Sequence, residues 1–152
     1  MKTDDIENIA LSEMRKFIEK NDWQSINTLL VRIYTITDPA TQANILNKIL
    51  IMHGHEFHQE ITKQLQNLAQ PSSIPYIKQI LENGFAFLDY TCSDDDMIAK
   101  WFSWALASIG TTAAIDIIEK FAQSENSAIA QEMQYRLKKT TPNLPNHKSH
   151  RS

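Results

Sequence analysis

Five side chains able to ligate a metal or move a proton, His53, His55, Glu56, His58 and Glu60, fall within eight consecutive positions of this sequence. Imidazole and carboxylate are common zinc donors. The string is His55-Glu-Phe-His58, with the histidines three apart, and not the His-Glu-x-x-His that sets two ligands one turn apart with a base between them. The spacing predicts no metal site, and structural capping at the start of a helix accounts for His55 and Glu56. Cys92 is the only cysteine, and neither a general base nor a Gly-rich turn accompanies it as nucleophilic catalysis requires. Three glycines in 152 residues leave no room for a phosphate-cradling loop. No catalytic residue, cofactor or enzyme activity is expected.

The remaining candidates suit contact with another macromolecule. Asp89, Asp94, Asp95 and Asp96 are the densest run of charge, and three adjacent aspartates exceed what a helix cap needs. With Glu82 they would form a negative edge fitted to a basic surface. Trp101 and Trp104 stand close by, and Phe85, Phe87 and Tyr90 precede them in a nine-residue connection, 85–93. This aromatic loop is expected to fold over the two indoles; the alternative is that part of the group is exposed as an interface anchor. Glu56, Asp89, Tyr90, Asp94, Asp95, Asp96 and Trp101 are the candidate partner-binding residues.

These residues require helices to hold them. Residues 94 to 110 read as one helix, with aspartates at the positive end of its dipole and Gly110 as the left-handed stop. Ile98, Phe102, Ala105, Leu106 and Ile109 form one apolar stripe, and Met97, Trp101 and Trp104 a second, so this helix is expected to be covered on more than one side. Before it, the periodicity predicts a helix over 4–20 with Ile6, Ile9, Ala10, Met14, Phe17 and Ile18 inward. A second follows Asp22 (Ile26, Leu29, Leu30, Ile33), and a third starts at Asp38-Pro39 and closes at Gly54. The fourth covers about 55–69 (Phe57, Ile61, Leu65, Leu68), and the fifth, holding Ile77, Ile80 and Leu81, ends at Gly84. After the central helix come a seventh from Thr111-Thr112 and an eighth over about 127–139.

Composition agrees with one all-helical domain, since 42% hydrophobic and 22% charged residues are ordinary for a globular chain and breakers are few. A net charge of −3 argues against nucleic acid as a partner, and no apolar run is long enough for a membrane. The amino terminus has no apolar signal region, so a cytoplasmic location is expected. Residues 1–139 are read as a single domain, and the proline-broken, polar tail 140–152 as disordered.

An internal repeat organises the helices. Setting 57–82 on 98–123, an offset of 41 without gaps, pairs Ile61 with Phe102, Leu65 with Leu106, Leu68 with Ile109, Ile77 with Ile118 and Ile80 with Phe121. A helix-turn-helix unit of about 40 residues is the period of HEAT and armadillo solenoids. The expected fold is therefore all-α, an α-solenoid of HEAT-like antiparallel helix pairs with about eight helices.

At these residues the chain resembles a known family. The run Leu106-Ala-Ser-Ile-Gly-Thr-Thr is similar to a HEAT repeat whose first helix ends in Leu-x-x-Ile-Gly. His55-Glu-Phe-His-Gln-Glu-Ile, Leu65-Gln-Asn-Leu, Pro71-Ser-Ser-Ile and Phe87-Leu-Asp-Tyr together resemble small bacterial HEAT-repeat proteins found as immunity proteins beside polymorphic toxins, including contact-dependent growth inhibition systems. The resemblance spans about 50–139. It implies an immunity protein that neutralises a cognate toxin domain by contact, as in a toxin-antitoxin pair, and the acidic edge suits a basic toxin such as a nuclease. A general HEAT scaffold or adaptor for another protein partner is the alternative. A HEAT-like DNA glycosylase is a third reading, which the charge balance disfavours.

Overall fold

The computed structural model describes residues 3–140, and within them the chain is all helical. Eight α-helices run α1 Thr3–Glu19, α2 Trp23–Tyr34, α3 Pro39–Leu50, α4 His58–Leu68, α5 Ile74–Asn83, α6 Asp95–Ile109, α7 Thr112–Phe121 and α8 Ser127–Thr140. Short 3-10 turns at Pro71–Ser73 and Ala86–Thr91 complete the described chain. The tail beyond Thr140 lies outside the described residues. No helix among the described residues is long and apolar enough to cross a membrane.

The boundaries follow from local chemistry. Asp22 caps α2 by accepting from the Ser25 amide at 3.2 Å, and Asp38 caps α3 by accepting from Thr41 at 3.1 Å, with Pro39 in the first turn where its missing N–H costs nothing. Thr111 does the same for α7 through the Ala114 amide. Gly110 ends α6 at φ 68°, in the left-handed region.

The helices form a repeat-like stack. In one row α4 lies beside α6 and α6 beside α8, while α5 and α7 are neighbours in the second row. The 41-residue offset survives as burial: Ile61 and Phe102, Leu65 and Leu106, Ile77 and Ile118, and Ile80 and Phe121 are all core residues. Ahead of them α3 packs on α1, α2, α4 and the 71–73 turn. Its polar core residues are satisfied, because Asn47 accepts from Ser73 Oγ at 2.7 Å and Gln42 donates to the Ile36 carbonyl at 2.9 Å.

Four expectations need correction. On α1, Ile6 and Ile9 are exposed and Leu11 takes their place, because the buried face is centred on Ala10, Leu11 and Met14. The third helix stops at Leu50 rather than at Gly54, and the fourth begins at His58, three residues later than read, because His55 is tied into the turn before it. Asp94 sits at the N-cap of α6 but makes no side-chain capping bond, so the aspartates act on this helix through charge alone. The second apolar stripe of α6 is not covered: Met97 is 48% and Trp104 44% exposed.

Candidate functional site

The uncovered stripe of α6 forms one wall of a groove of about 700 Å³, with α4 as the other wall. Met97, Trp101 and Trp104 line it from α6, and Gln59, Glu60, Lys63, Gln64 and Gln66 from α4. Tyr34, the last residue of α2, also lines it. Side-by-side packing of equivalent helices explains the asymmetry, since the repeat offset sets Glu60 and Lys63 against Trp101 and Trp104. Aromatic side chains therefore face polar ones across the cleft, and neither wall has a partner large enough to close it.

The aromatic wall is held rigid from behind. Trp101 meets Phe102 edge-on at 6.4 Å, and Phe102 is fully buried against Phe85. Behind Trp104 the Arg136 guanidinium stacks on the indole, 4.0 Å from the ring centre. Arg136 is itself buried and paired with Glu132 at 3.2 Å, and Ser103 Oγ donates to the same carboxylate at 2.6 Å. This network locks α8 to α6. A shallower hollow on the α8 side, lined by Asp96, Met97, Lys100 and Glu132 among others, continues the surface.

Tyr34 stands out in the groove. Its hydroxyl oxygen is buried and has no hydrogen-bond partner among the described residues. Burial, and secondarily the charge of Glu60, pushes its pKa up to about 12, so the phenol keeps its proton and is available as a donor.

The aromatic connection does something other than the sequence reading expected. It folds over the histidines and not over the tryptophans. Phe87 stacks on His53 at 4.8 Å between ring centres, and the Tyr90 hydroxyl reaches His58. His58 Nε2 is 2.7 Å from the Met52 carbonyl and Nδ1 is 2.7 Å from Tyr90 Oη; His55 Nε2 is 3.0 Å from the Ile49 carbonyl, and its Nδ1 accepts from the Phe57 amide. Both rings are therefore neutral, with the proton on Nε2, and are stacked at 3.8 Å. Burial, opposed by these carbonyl bonds, lowers their pKa values to about 4 for His55 and about 3 for His58. The cluster ties the end of α3 to the start of α4 and to the 86–91 turn.

The candidate residues from the sequence separate into three places. Glu56, Asp89, Asp94, Asp95 and Asp96 are exposed around the amino ends of α4 and α6. Tyr90 is 36% exposed, with its hydroxyl engaged internally, and Trp101 is half-buried in the groove. Sequence reasoning missed Tyr34, Lys63 and Lys100 as groove residues. The repeat offset that set polar residues of α4 against the tryptophans was the available signal for Lys63; Tyr34 offered none. Comparison with protein-family models, curated proteins and solved structures returns no match.

Proposed function

We propose that this chain is a non-catalytic protein-binding module, an immunity protein that neutralises a cognate bacterial toxin by covering its active site or substrate surface. The observation that carries the binding reading is the exposed wall of Met97, Trp101 and Trp104, set beside the exposed aspartates at the amino end of the same helix. Rigid, half-exposed indoles next to a charged rim are the usual makings of an interface hot spot. The step from binding to toxin neutralisation rests on the resemblance of residues 50–139 to small HEAT-repeat immunity proteins. A basic toxin surface, such as a nuclease face, would meet Glu56, Asp89 and Asp94 to Asp96, and these charges would steer the encounter.

Mixing the protein with the product of its neighbouring gene tests the reading, because immunity genes lie beside their toxins. A stable complex and protection of a sensitive cell are expected. Asp95→Asn with Asp96→Asn should slow association several-fold at low salt and less at high salt. Absence of both complex and protection would leave a general scaffold with another protein partner, and DNA binding at low salt would favour the glycosylase reading instead.

A further inference from the structure

The groove is rich in donors that have no acceptor. Lys63 on α4 and Lys100 on α6 make no ion pair among the described residues, and the Tyr34 hydroxyl between the helices has no hydrogen-bond partner there. Glu60 is the one carboxylate on the lining, so the groove carries an excess of positive charge in a chain whose net charge is −3. Its length spans eight residues of each wall, Gln59 to Gln66 and Met97 to Trp104, or roughly 10 Å at about 1.5 Å per residue. That is room for about two turns of a helix or a few extended residues, and too open for a small molecule to be enclosed.

We propose that the α4–α6 groove takes a segment of the partner protein that presents an apolar or aromatic side chain next to a carboxylate. The apolar side chain lies on Trp101 and Trp104; the carboxylate accepts from Tyr34 Oη and is flanked by Lys63 and Lys100. This deepens the protein-binding reading and gives the partner a two-signed footprint, basic where it meets Asp94 to Asp96 and acidic where it enters the groove. Specificity follows from the sign change, since a uniformly basic protein would be attracted to the edge and repelled at the groove. The orphaned hydroxyl adds discrimination, because only a ligand with an acceptor there satisfies it.

The test uses the full chain and two blocked amphipathic peptides with the same leucines and phenylalanine, one carrying glutamates and the other lysines, together with free 3-phenylpropionate. Binding is read from tryptophan fluorescence and from the indole N–H signals of Trp101 and Trp104. The glutamate peptide is expected to bind about tenfold tighter than the lysine peptide at low salt. Lys63→Glu with Lys100→Glu should invert that preference. Tyr34→Phe should weaken the glutamate peptide about fivefold to tenfold, while leaving the melting temperature unchanged or raised, since it deletes a buried hydroxyl that holds nothing. Equal binding of the two peptides, preference for the lysine peptide, or no binding overturns the proposal. Binding of 3-phenylpropionate as tight as that of the glutamate peptide also overturns it, in favour of a small-molecule site. Because no toxin enters the assay, the groove proposal and the immunity reading can fail separately.

Discussion

The Tyr90 hydroxyl lies 2.7 Å from Nδ1 of His58 and 3.1 Å from the backbone nitrogen of the same residue. One phenol thus donates to the ring and accepts from an amide at the start of α4, across 32 positions of sequence. Tyr90→Phe should strip a partner from both groups and cost about 1–3 kcal/mol. Urea unfolding measures it; an unchanged midpoint would mean that water replaces the hydroxyl.

Acid should act on the same cluster. His55 and His58 have folded pKa values of about 4 and about 3, both lowered from 6.5, so the unfolded chain binds more protons between these limits. Their contribution to stability is therefore fully present above about pH 6.5 and is lost as pH falls toward 4 and 3. A urea midpoint followed from pH 7.5 to 4.5 should decline below 6.5, and the decline should be shallower in His55→Gln. A decline of the same steepness in that variant would place the acid sensitivity in other groups.

Phe102 and Trp104 are two residues apart on α6, and their substitutions should differ in scale. Phe102 is fully buried, so Phe102→Ala should cost about 2–5 kcal/mol. Trp104 is 44% exposed and rests on Arg136, so Trp104→Ala should cost about 1 kcal/mol, mainly the lost stacking. Equal losses would mean that the indole belongs to the core.

Arg136 and Glu132 are an ion pair taken out of water between α6 and α8. Arg136→Met leaves the carboxylate buried without its cation and should cost about 3–5 kcal/mol. Adding Glu132→Leu should recover most of that loss, because replacing both partners by apolar groups removes the unpaired charge. Failure of the second substitution to recover stability would make the pair a net stabiliser.

The helical stack was legible because the same apolar spacing recurs after 41 residues, and Ile61 with Phe102 or Ile77 with Ile118 are buried in matching places. Periodicity reports which side chains share a face; it does not report whether a neighbour is large enough to cover that face. For this reason Met97 and Trp104 read as buried, although α4 offers them only Glu60, Lys63 and glutamines. The start of α4 was misplaced for a different reason. His55 spends both ring nitrogens on Ile49 and Phe57, which holds 55–57 out of the helix, and no local propensity signals a bond to the preceding helix. Tyr34 looked like the plain end of α2, since an unpartnered hydroxyl depends on what α4 and α6 bring beside it.

The most direct measurement of the central claim is the dissociation rate of the complex with the neighbouring gene's product, for the natural chain and for Trp104→Ala. Desolvated anchors act on dissociation rather than on encounter. The account predicts dissociation at least about tenfold faster in Trp104→Ala, with association nearly unchanged and the variant still folded. A complex that forms and separates at the same rates with and without the indole would contradict it, and would move the interface away from the α4–α6 groove.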